Sequence, residues 1–404
     1  MTKKVFDIAI IGSGVAGACA AYKLATEYPD VSAILFDIGS APQKRKPQMN
    51  GYLGVFPSSD GKLYLNDVDK TSNIIGVRAS KKHKKEFFSL MQLNENKDTI
   101  TDNEISKSLS NTLSKLQYDV EYNNHLQVFP KEIHALSKHM SLAFDDSNIE
   151  ISFEDEVFHI EKENNVFHLS TESGEYQAKK IILAVGRSGW RWARDIFKKF
   201  DIIDSNDYAK FGVRLEIAAD SLKNFNESNC TLRKKDIELG PFCWNGTVIP
   251  EDHVDLVISS FRSNENRWKT DKVSFNLIKS IKFPNNGFEE TDRLGKLTFI
   301  LANDRVIKEK ISTLFAKKSK VSILKEYDWV APAIQELTFL PELESKGYFH
   351  VPTITPLAPK INLGSNLESE VEGLYVVGES AGVTGILSAA ITGLLSIDSI
   401  CKAS

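Results

Sequence analysis

Short apolar runs and helical periods alternate from the start of the chain. Val5 to Ile11 is apolar and rich in β-branched residues, interrupted by Asp7 and Ala9, and stops at Gly12, which predicts a buried parallel strand. Ala18 to Tyr28 carries the helical period and ends before Pro29; Val31 to Phe36 returns to strand character and closes on Asp37. Between the first strand and the helix lies Gly12-Ser13-Gly14-Val15-Ala16-Gly17, the G-x-G-x-x-G spacing. Gly12 suits the tight turn, Gly14 the approach of backbone to a pyrophosphate, and Gly17 close helix–strand packing. The pyrophosphate belongs on the helix N-terminus, where unpaired N–H groups favour an anion. Asp37 is placed to accept hydrogen bonds from a ribose hydroxyl. Strand, glycines, helix, strand and acid in that order predict a dinucleotide site.

Further along, Ile149 to His168 alternates like paired strands, and Gly174 sits in the turn after the next strand. Lys180 to Val185 is an apolar strand ending at Gly186. Leu374 to Val377 is another, followed by a Gly378-Glu379 turn and a helix that starts near Gly385. A nicotinamide dehydrogenase places its second half directly after the first βαβ unit; three dispersed blocks converging on one nucleotide are an FAD pattern. From about Phe200 to His350 the glycine landmarks are missing, and Phe211–Ile217, Val254–Phe261 and Lys296–Leu301 read as strands of a separate sheet. Residues 76–125 read as a polar helical insert, where Thr101 and Glu104 have capping-box spacing. The expected fold is α/β: a Rossmann-like FAD-binding domain assembled from 1–75, 126–199 and 351–404, with an inserted α+β substrate domain at 200–350.

A length of 404 residues agrees with two domains. Fifty Lys and Arg against 54 Asp and Glu, a net charge of −4, argue against nucleic acid as a partner. The run Lys81-Lys82-His83-Lys84-Lys85 reads as a solvated helix or loop face. The first apolar run carries Asp7 and leads into the glycine turn instead of a cleavage site. Gly385 to Ile400 is interrupted by Ser388, Thr392, Ser396 and Asp398 and is too short to span a bilayer. A soluble cytoplasmic protein without a membrane span is expected. Cys19, Cys230, Cys243 and Cys401 form no C-x-x-C pair, which argues against a disulfide framework, a zinc site or a flavin-linked dithiol; Cys19 and Cys401 are expected to be inert.

Several blocks, in order, carry a resemblance: "GYLGVFPSSDGKLY" at Gly51–Tyr64, "LAVGRSG" at Leu183–Gly189, "FGVRLE" at Phe211–Glu216, "GPFCWNGTVI" at Gly240–Ile249 and the C-terminal "VGESAGVTGILSAA". The chain resembles bacterial FAD-dependent dehydrogenases related to geranylgeranyl reductases, within the two-dinucleotide-binding-domain flavoproteins of the glutathione-reductase and hydroxybenzoate-hydroxylase type. It departs from that group at Cys243-Trp244-Asn245-Gly246, where one of two expected cysteines is missing, and at Met49-Asn50, where a Gly-rich stretch with a cysteine is expected.

The resemblance implies non-covalent FAD held at the pyrophosphate by Gly12, Gly14, Ala16 and Gly17, at the adenosine ribose by Asp37, and at the adenine by the Val157 backbone. It lays Ser58, Ser59, Asp60 and Lys62 along the isoalloxazine ring and assigns the ribityl–phosphate portion to Gly378 and Glu379. The helix starting at Gly385-Ile386-Leu387 would aim its positive end at the flavin N1 and C2 carbonyl, which stabilises the reduced anion. Val15, Ile38, Ala184 and Gly186 complete the expected cofactor contacts. Lys62, Arg214 and Cys243 are the candidate catalytic residues. Beside the catalytic and cofactor roles stand plainer readings: Lys62 as a partner of a phosphate or of Asp60, Arg214 as an ion-pair partner of Glu216 or another acid, Cys243 as a buried inert thiol, and Glu379 as a helix cap. Phe242, Trp244, Trp268, Tyr327 and Trp329 read as core in preference to a substrate cage.

The leading expectation is an FAD-dependent oxidoreductase moving a hydride to or from a carbon–carbon or carbon–nitrogen bond of a small organic substrate. A flavin monooxygenase and a non-catalytic flavoprotein are the alternatives. No second G-x-G-x-x-G is present to hold a nicotinamide, so NAD(P)H enters as a transient donor at the flavin face, with a redox carrier or the substrate itself as other electron sources.

Overall fold

The computed structural model describes residues 4–45, 50–202, 208–253, 256–262, 265–283, 287–301, 303, 306–355 and 361–402. It divides into two compact units: Met1–Thr99 with Leu126–Ser205 and Ala358–Ser404, and Ile100–His125 with Asn206–Leu357. The helices between Asn66 and Asp98 thus belong to the first unit.

Five parallel strands organise the first unit: β1 (Val5–Ile11), β2 (Ala33–Asp37), β3 (Ile149–Phe153), β4 (Gly174–Leu183) and β5 (Leu374–Val376). Their order is β3-β2-β1-β4-β5, with Ile11 beside Leu183 and Leu183 beside Val376. The two-residue period of each strand serves two cores. Ile8, Ile10, Leu35 and Ile182 point to one side, and Ala9, Ile11, Ile34 and Ile181 to the other. Burial on both sides explains the nearly unbroken apolar runs.

The expected pairing of Ile149–His168 with itself is only half present. Ile149–Phe153 runs parallel to β2, with Ala33 opposite Ile149. The hairpin forms between Val157–Glu163 and Val166–Thr171, where Asn164 and Asn165 supply positive φ angles of 49° and 63°. The first half of β4 pairs antiparallel with Val166–Thr171; its second half joins β1 and β5.

Among the helices that pack into the first core are α1 (Val15–Glu27), α2 (Val77–Leu90) and α3 (Ile386–Lys402). Helix α1 begins at Val15, ahead of the expected Ala18, because the second half of the glycine motif is already its first turn. It lies against α3 so closely that a Cβ on Gly393 would stand 2.1 Å from the Ala16 carbonyl oxygen. The other ends of the helices share a charge cluster. Lys23, 2% exposed, reaches Glu86 at 2.6 Å, Glu27 at 3.1 Å and Asp398 at 3.3 Å. Asp398 also meets His83 Nε2 at 3.1 Å, Lys402 at 2.8 Å, and Lys82. Against the cost of burial, Lys402, Lys82, Lys23 and His83 hold the Asp398 carboxyl well below the ordinary carboxylate range. The lysine run is thus a helix face with Lys81, Lys82 and Lys85 exposed and His83 buried as an anchor.

The second unit is built on an antiparallel sheet in the order Ile307–Lys310, Tyr348–Thr355, Tyr208–Ala218, Lys272–Lys282, Ile237–Leu239, Thr231–Lys234, Asp119–Glu121, with Cys243–Trp244 pairing onto Lys272–Lys282. Two expectations are corrected here. Lys296–Leu301 is no strand but the end of helix Gly287–Leu301, where Thr291, Leu294 and Thr298 recur at helical spacing on a buried side. Thr101 caps nothing; Ser106 caps helix Lys107–Lys115 by accepting from the Leu109 amide at 3.3 Å. Val254 of the expected Val254–Phe261 strand lies outside the described residues, and the strand is Leu256–Arg262. Of the aromatic residues expected in the core, Phe242 and Tyr327 are buried there, Phe242 stacking on Phe275 at 4.4 Å and Tyr327 meeting Phe211 at 5.4 Å, Trp244 and Trp329 pack half-buried against it, and Trp268 lies outside it. Among the described residues no helix is long and apolar enough to cross a membrane.

Candidate functional site

Strands β1, β4 and β5 are adjacent and parallel, so the turns that follow them emerge at one carboxyl edge, the usual ligand crevice of an open α/β sheet. All three turns use glycine at positive φ: Gly12 at 99°, Gly186 at 59° and Gly378 at 65°. The glycines of the first turn have separable causes. A Cβ on Gly12 would fall 2.5 Å from the Ala184 carbonyl oxygen, and one on Gly17 would fall 1.8 Å from the Gly12 oxygen. The protein itself requires both. At Gly14 the nearest atom to a Cβ is the Ala184 oxygen at 3.8 Å, so only something outside the protein requires a bare backbone there. Gly14 is also the N-cap of α1, where no side chain caps the first N–H groups and no acid occupies the first turn. That combination fits an anion of pyrophosphate type.

Two carboxylates border this edge and differ sharply. Asp37, at the end of β2 and 8% exposed, is ringed by protein donors. Its Oδ2 accepts from the Ser13 amide at 2.6 Å and the Ser13 hydroxyl at 2.8 Å; its Oδ1 accepts from the Gly39 amide at 2.7 Å and the Gly51 amide at 2.9 Å. Asp37 ties the glycine turn to the loop around Gly51. Arg45 closes the same loop by donating to the Tyr52 and Gly54 carbonyls, and burial pushes its guanidinium down to about 10 although Asp37 opposes the shift. Glu379, in the turn after β5, receives only Arg187 among the described residues: Nη2 reaches Oε1 at 2.6 Å and Nε reaches Oε2 at 3.3 Å. Arg187 lies in the turn after β4, inside the "LAVGRSG" block, and went unremarked in the sequence because its partner is distant along the chain.

The other expected cofactor residues have defined settings. Ser58 is buried at the end of a short 3-10 turn. Ser59 donates to the Phe56 carbonyl at 2.9 Å and accepts from the Gly61 amide at 3.1 Å. Lys62 Nζ stands 3.7 Å from Asp60, the ion pair of the plainer reading. A Cβ on Gly61 would overlap the Val128 oxygen at 1.8 Å, and Gln127 donates to the Asp60 carbonyl at 2.8 Å, so this segment is pinned. Val15 and Ala16 are buried in the first turn of α1, and Ala184 is buried with its carbonyl against Gly12. Val157 sends its side chain into the core, while Ile38 is 43% exposed just after β2. Ile386 and Leu387 open α3; before them Gly385 has φ 91° and would place a Cβ 2.2 Å from Asp67 Oδ2, so a carboxylate already stands at the start of this helix.

In the second unit, Arg214 and Cys243 fall on the same polar face of the antiparallel sheet. Along Tyr208–Ala218, Phe211, Val213, Leu215 and Ile217 enter the core, and Arg214 and Glu216 occupy the opposite face, buried at 8% and 3% exposure. Cross-strand pairing places Ser274 between Glu216 and Cys243, and His350 beside Arg214. Arg214 Nη1 donates to Ser274 Oγ at 3.0 Å. The expected Arg214–Glu216 pair is replaced: Glu216 Oε1 takes Lys272 at 3.0 Å and Lys308 at 2.9 Å, with His350 Nε2 3.7 Å from Oε2. Burial alone would raise the Glu216 carboxyl, but His350, Lys308 and Lys272 hold it well below its ordinary range. Burial, helped by Lys308 and Arg214, lowers the His350 imidazolium against the pull of Glu216. Cys243 is buried, with Sγ 3.5 Å from the Pro241 carbonyl oxygen; burial pushes the Cys230 thiol up to about 12. His350 and Ser274 were missed in the sequence, where only the alternation Arg214-Leu215-Glu216 hints at a charged face.

No protein-family model matches the chain, and no curated protein matches it. Solved structures do. Glycine oxidase from Geobacillus kaustophilus is 14% identical with a TM-score of 0.45, over 98% of this chain and 95% of that one. A flavoprotein/dehydrogenase from Cytophaga hutchinsonii is 12% identical with a TM-score of 0.42, over 97% and 76%. Halogenase PltM, in a mutant form in complex with FAD, is 10% identical with a TM-score of 0.46, over 97% and 67%. At this level of similarity the chain's own geometry has to carry the functional reading.

Proposed function

We propose that this chain is an FAD-dependent oxidoreductase, of the kind its sequence blocks resemble, which moves a hydride to or from a carbon–carbon or carbon–nitrogen bond of a small organic substrate. The observation that carries the reading is the convergence of the Gly12, Gly186 and Gly378 turns on one sheet edge, with an open approach at Gly14 above an uncapped helix N-terminus. FAD, when bound, supplies the two-electron chemistry. The protein supplies position. Gly12, Gly14, Ala16 and Gly17 present backbone N–H groups to the pyrophosphate, and Gly378 and Glu379 take the ribityl portion. Ser58 to Lys62 forms a fixed wall for the ring, with the Lys62 charge set against Asp60. Arg214 holds a carboxylate of the substrate, supported by an excess of positive charge: Arg214, Lys272 and Lys308 share a face whose near carboxylate is Glu216. NAD(P)H or a redox carrier closes the electron cycle.

Purified protein should be yellow, release intact FAD on denaturation, and be reduced anaerobically by a donor drawn from NADH, NADPH, a reduced carrier and carboxylate-bearing amines or unsaturated acids. A colourless protein that takes up no FAD on reconstitution overturns the reading. A flavoprotein that none of these donors reduces removes the enzymatic part of it.

A further inference from the structure

Two buried polar atoms on the polar face of the antiparallel sheet make no hydrogen bond among the described residues, His350 Nε2 and Asn276 Oδ1. They flank Arg214. The register sets His350 opposite Arg214 on one side and Asn276 opposite it on the other, in a single row across three strands. Their neighbours along the strands, Phe349, Leu215 and Phe275, enter the core, so alternation puts all three on the other face. Glu216 does not serve His350 as an acceptor: its Oε2 stands 3.7 Å from Nε2, beyond hydrogen-bond reach, while Oε1 holds Lys272 and Lys308. Burying a polar atom unpaired costs stability, and two of them on either side of a buried guanidinium call for a ligand that pairs both. The row has a defined sense. Arg214 only donates, the Asn276 oxygen only accepts, and a ring nitrogen of His350 can donate. Neighbouring strands lie about 4.8 Å apart, so the backbones of His350 and Asn276 are about 10 Å apart with Arg214 midway, room for one small ligand. Arg214, Lys272 and Lys308 around the one carboxylate of Glu216 favour an anion.

We infer that this row recognises a small carboxylate bearing an N–H or O–H on the carbon next to the carboxyl group: Arg214 and His350 donate to the carboxylate, and Asn276 Oδ1 accepts from the neighbouring donor. This rests on the reading of Arg214 as the residue that holds a substrate carboxylate, and narrows it. Asn276 is the specificity-determining residue, because a site built to accept a hydrogen bond penalises the ligand that cannot supply it. Plain and unsaturated acids without a donor are thereby disfavoured. In the carbon–nitrogen half of the proposed reaction the donor is the substrate's own nitrogen.

Calorimetric titration of the purified protein with propionate, lactate and alanine separates the parts, since all share one carboxylate and carbon skeleton and only lactate and alanine carry the donor. At least one of those two should bind about tenfold or more tighter than propionate, lactate marking an O–H and alanine an N–H. Asn276→Leu should erase the preference to within about twofold and leave propionate at its former affinity. Asn276→Asp, which keeps an acceptor in place, should keep the preference for alanine. His350→Phe should weaken all three probes by a common factor, and His350→Gln, which restores an N–H, should recover part of the loss. Unchanged protein that binds propionate as tightly as both other probes overturns the inference, and so does a folded Asn276→Leu protein that retains the preference. Propionate bound equally by Arg214→Gln and by the unchanged protein, or no probe bound at all, brings down the carboxylate reading of Arg214 itself, a result distinct from the other two.

Discussion

The two sheets place chemistry differently. In the parallel sheet the strands are buried scaffolding, and the glycines at positive φ sit in the turns after β1, β4 and β5, so that the candidate edge is largely backbone. In the antiparallel sheet the candidate groups lie within the strands, as every second side chain on one face: Arg214, Glu216, Ser274, His350 and Cys243. An edge made of backbone depends on what is absent, a Cβ. A face made of side chains depends on charges kept in balance. The first should therefore fail through sterics and the second through electrostatics.

The largest effect tests the edge. Gly17→Ala should cost about 3 kcal/mol or more in stability, since the new Cβ would stand 1.8 Å from the Gly12 carbonyl oxygen, which is backbone and cannot swing away. Gly14→Ala should stay within about 0.5 kcal/mol in denaturant melts of apoprotein, because its φ of −56° suits alanine and its surroundings are open. It should nevertheless lose FAD. Equal melts for the two variants would mean that the glycines serve one purpose, not two.

On the face, Arg214→Lys should keep the full complement of cofactor and lower kcat/KM for a carboxylate-bearing substrate about a hundredfold, near 2.7 kcal/mol, mostly in KM. An unchanged KM takes Arg214 out of the substrate site. The balance of charge around it has its own signature in pH. Glu216 and Asp398 both ionise more easily folded than unfolded, so each adds stability that is complete above its unfolded value, 4.5 and 3.8, and is lost as the pH falls below it. The melting temperature should begin to fall below about pH 6.5, the unfolded value of His350, whose buried imidazole resists protonation, and fall further below about pH 5 as the two carboxylates are protonated. Glu216→Gln should lower the plateau, by about 1–3 kcal/mol, and flatten the acid limb. A variant with the acid limb unaltered would show that Glu216 is not one of the groups responsible.

The smallest effect concerns Cys243. With Asn245 in place of a second cysteine and the thiol resting near the Pro241 carbonyl oxygen, Cys243→Ser should retain its FAD and most of the rate of flavin reduction. A hundredfold fall in a folded, FAD-replete variant would bring the thiol into the chemistry.

What the sequence disclosed follows the same division. The strand Val5–Ile11 and the spacing of Gly12, Gly14 and Gly17 were legible because their causes lie within a few residues. The place of Asp37 was legible but not its occupation, because the Gly39 and Gly51 amides reach it through a loop. Arg187 and Glu379 meet only because β4 and β5 are neighbours, which no local pattern states. In the second unit, Lys296–Leu301 imitates a strand over six residues, and only the window from Gly287 shows the helical spacing. The polar face was half visible: Arg214 and Glu216 share one strand, but His350 and Ser274 arrive from two others.

The contact between Gly393 and the Ala16 carbonyl has a consequence in time. Helices α1 and α3 come from opposite ends of the chain, and at about 5–20 residues per second the ribosome needs roughly 20–75 s to pass from one to the other. Through that interval the glycine turn exists without the helix that packs behind it, and β5, which pairs with β4, is the last of the five strands to be made. Local structure can form early, but the long-range closure waits on the last helix. Closure of this core thereby waits for α3, and until then the nascent chain exposes an apolar surface that a chaperone has time to find.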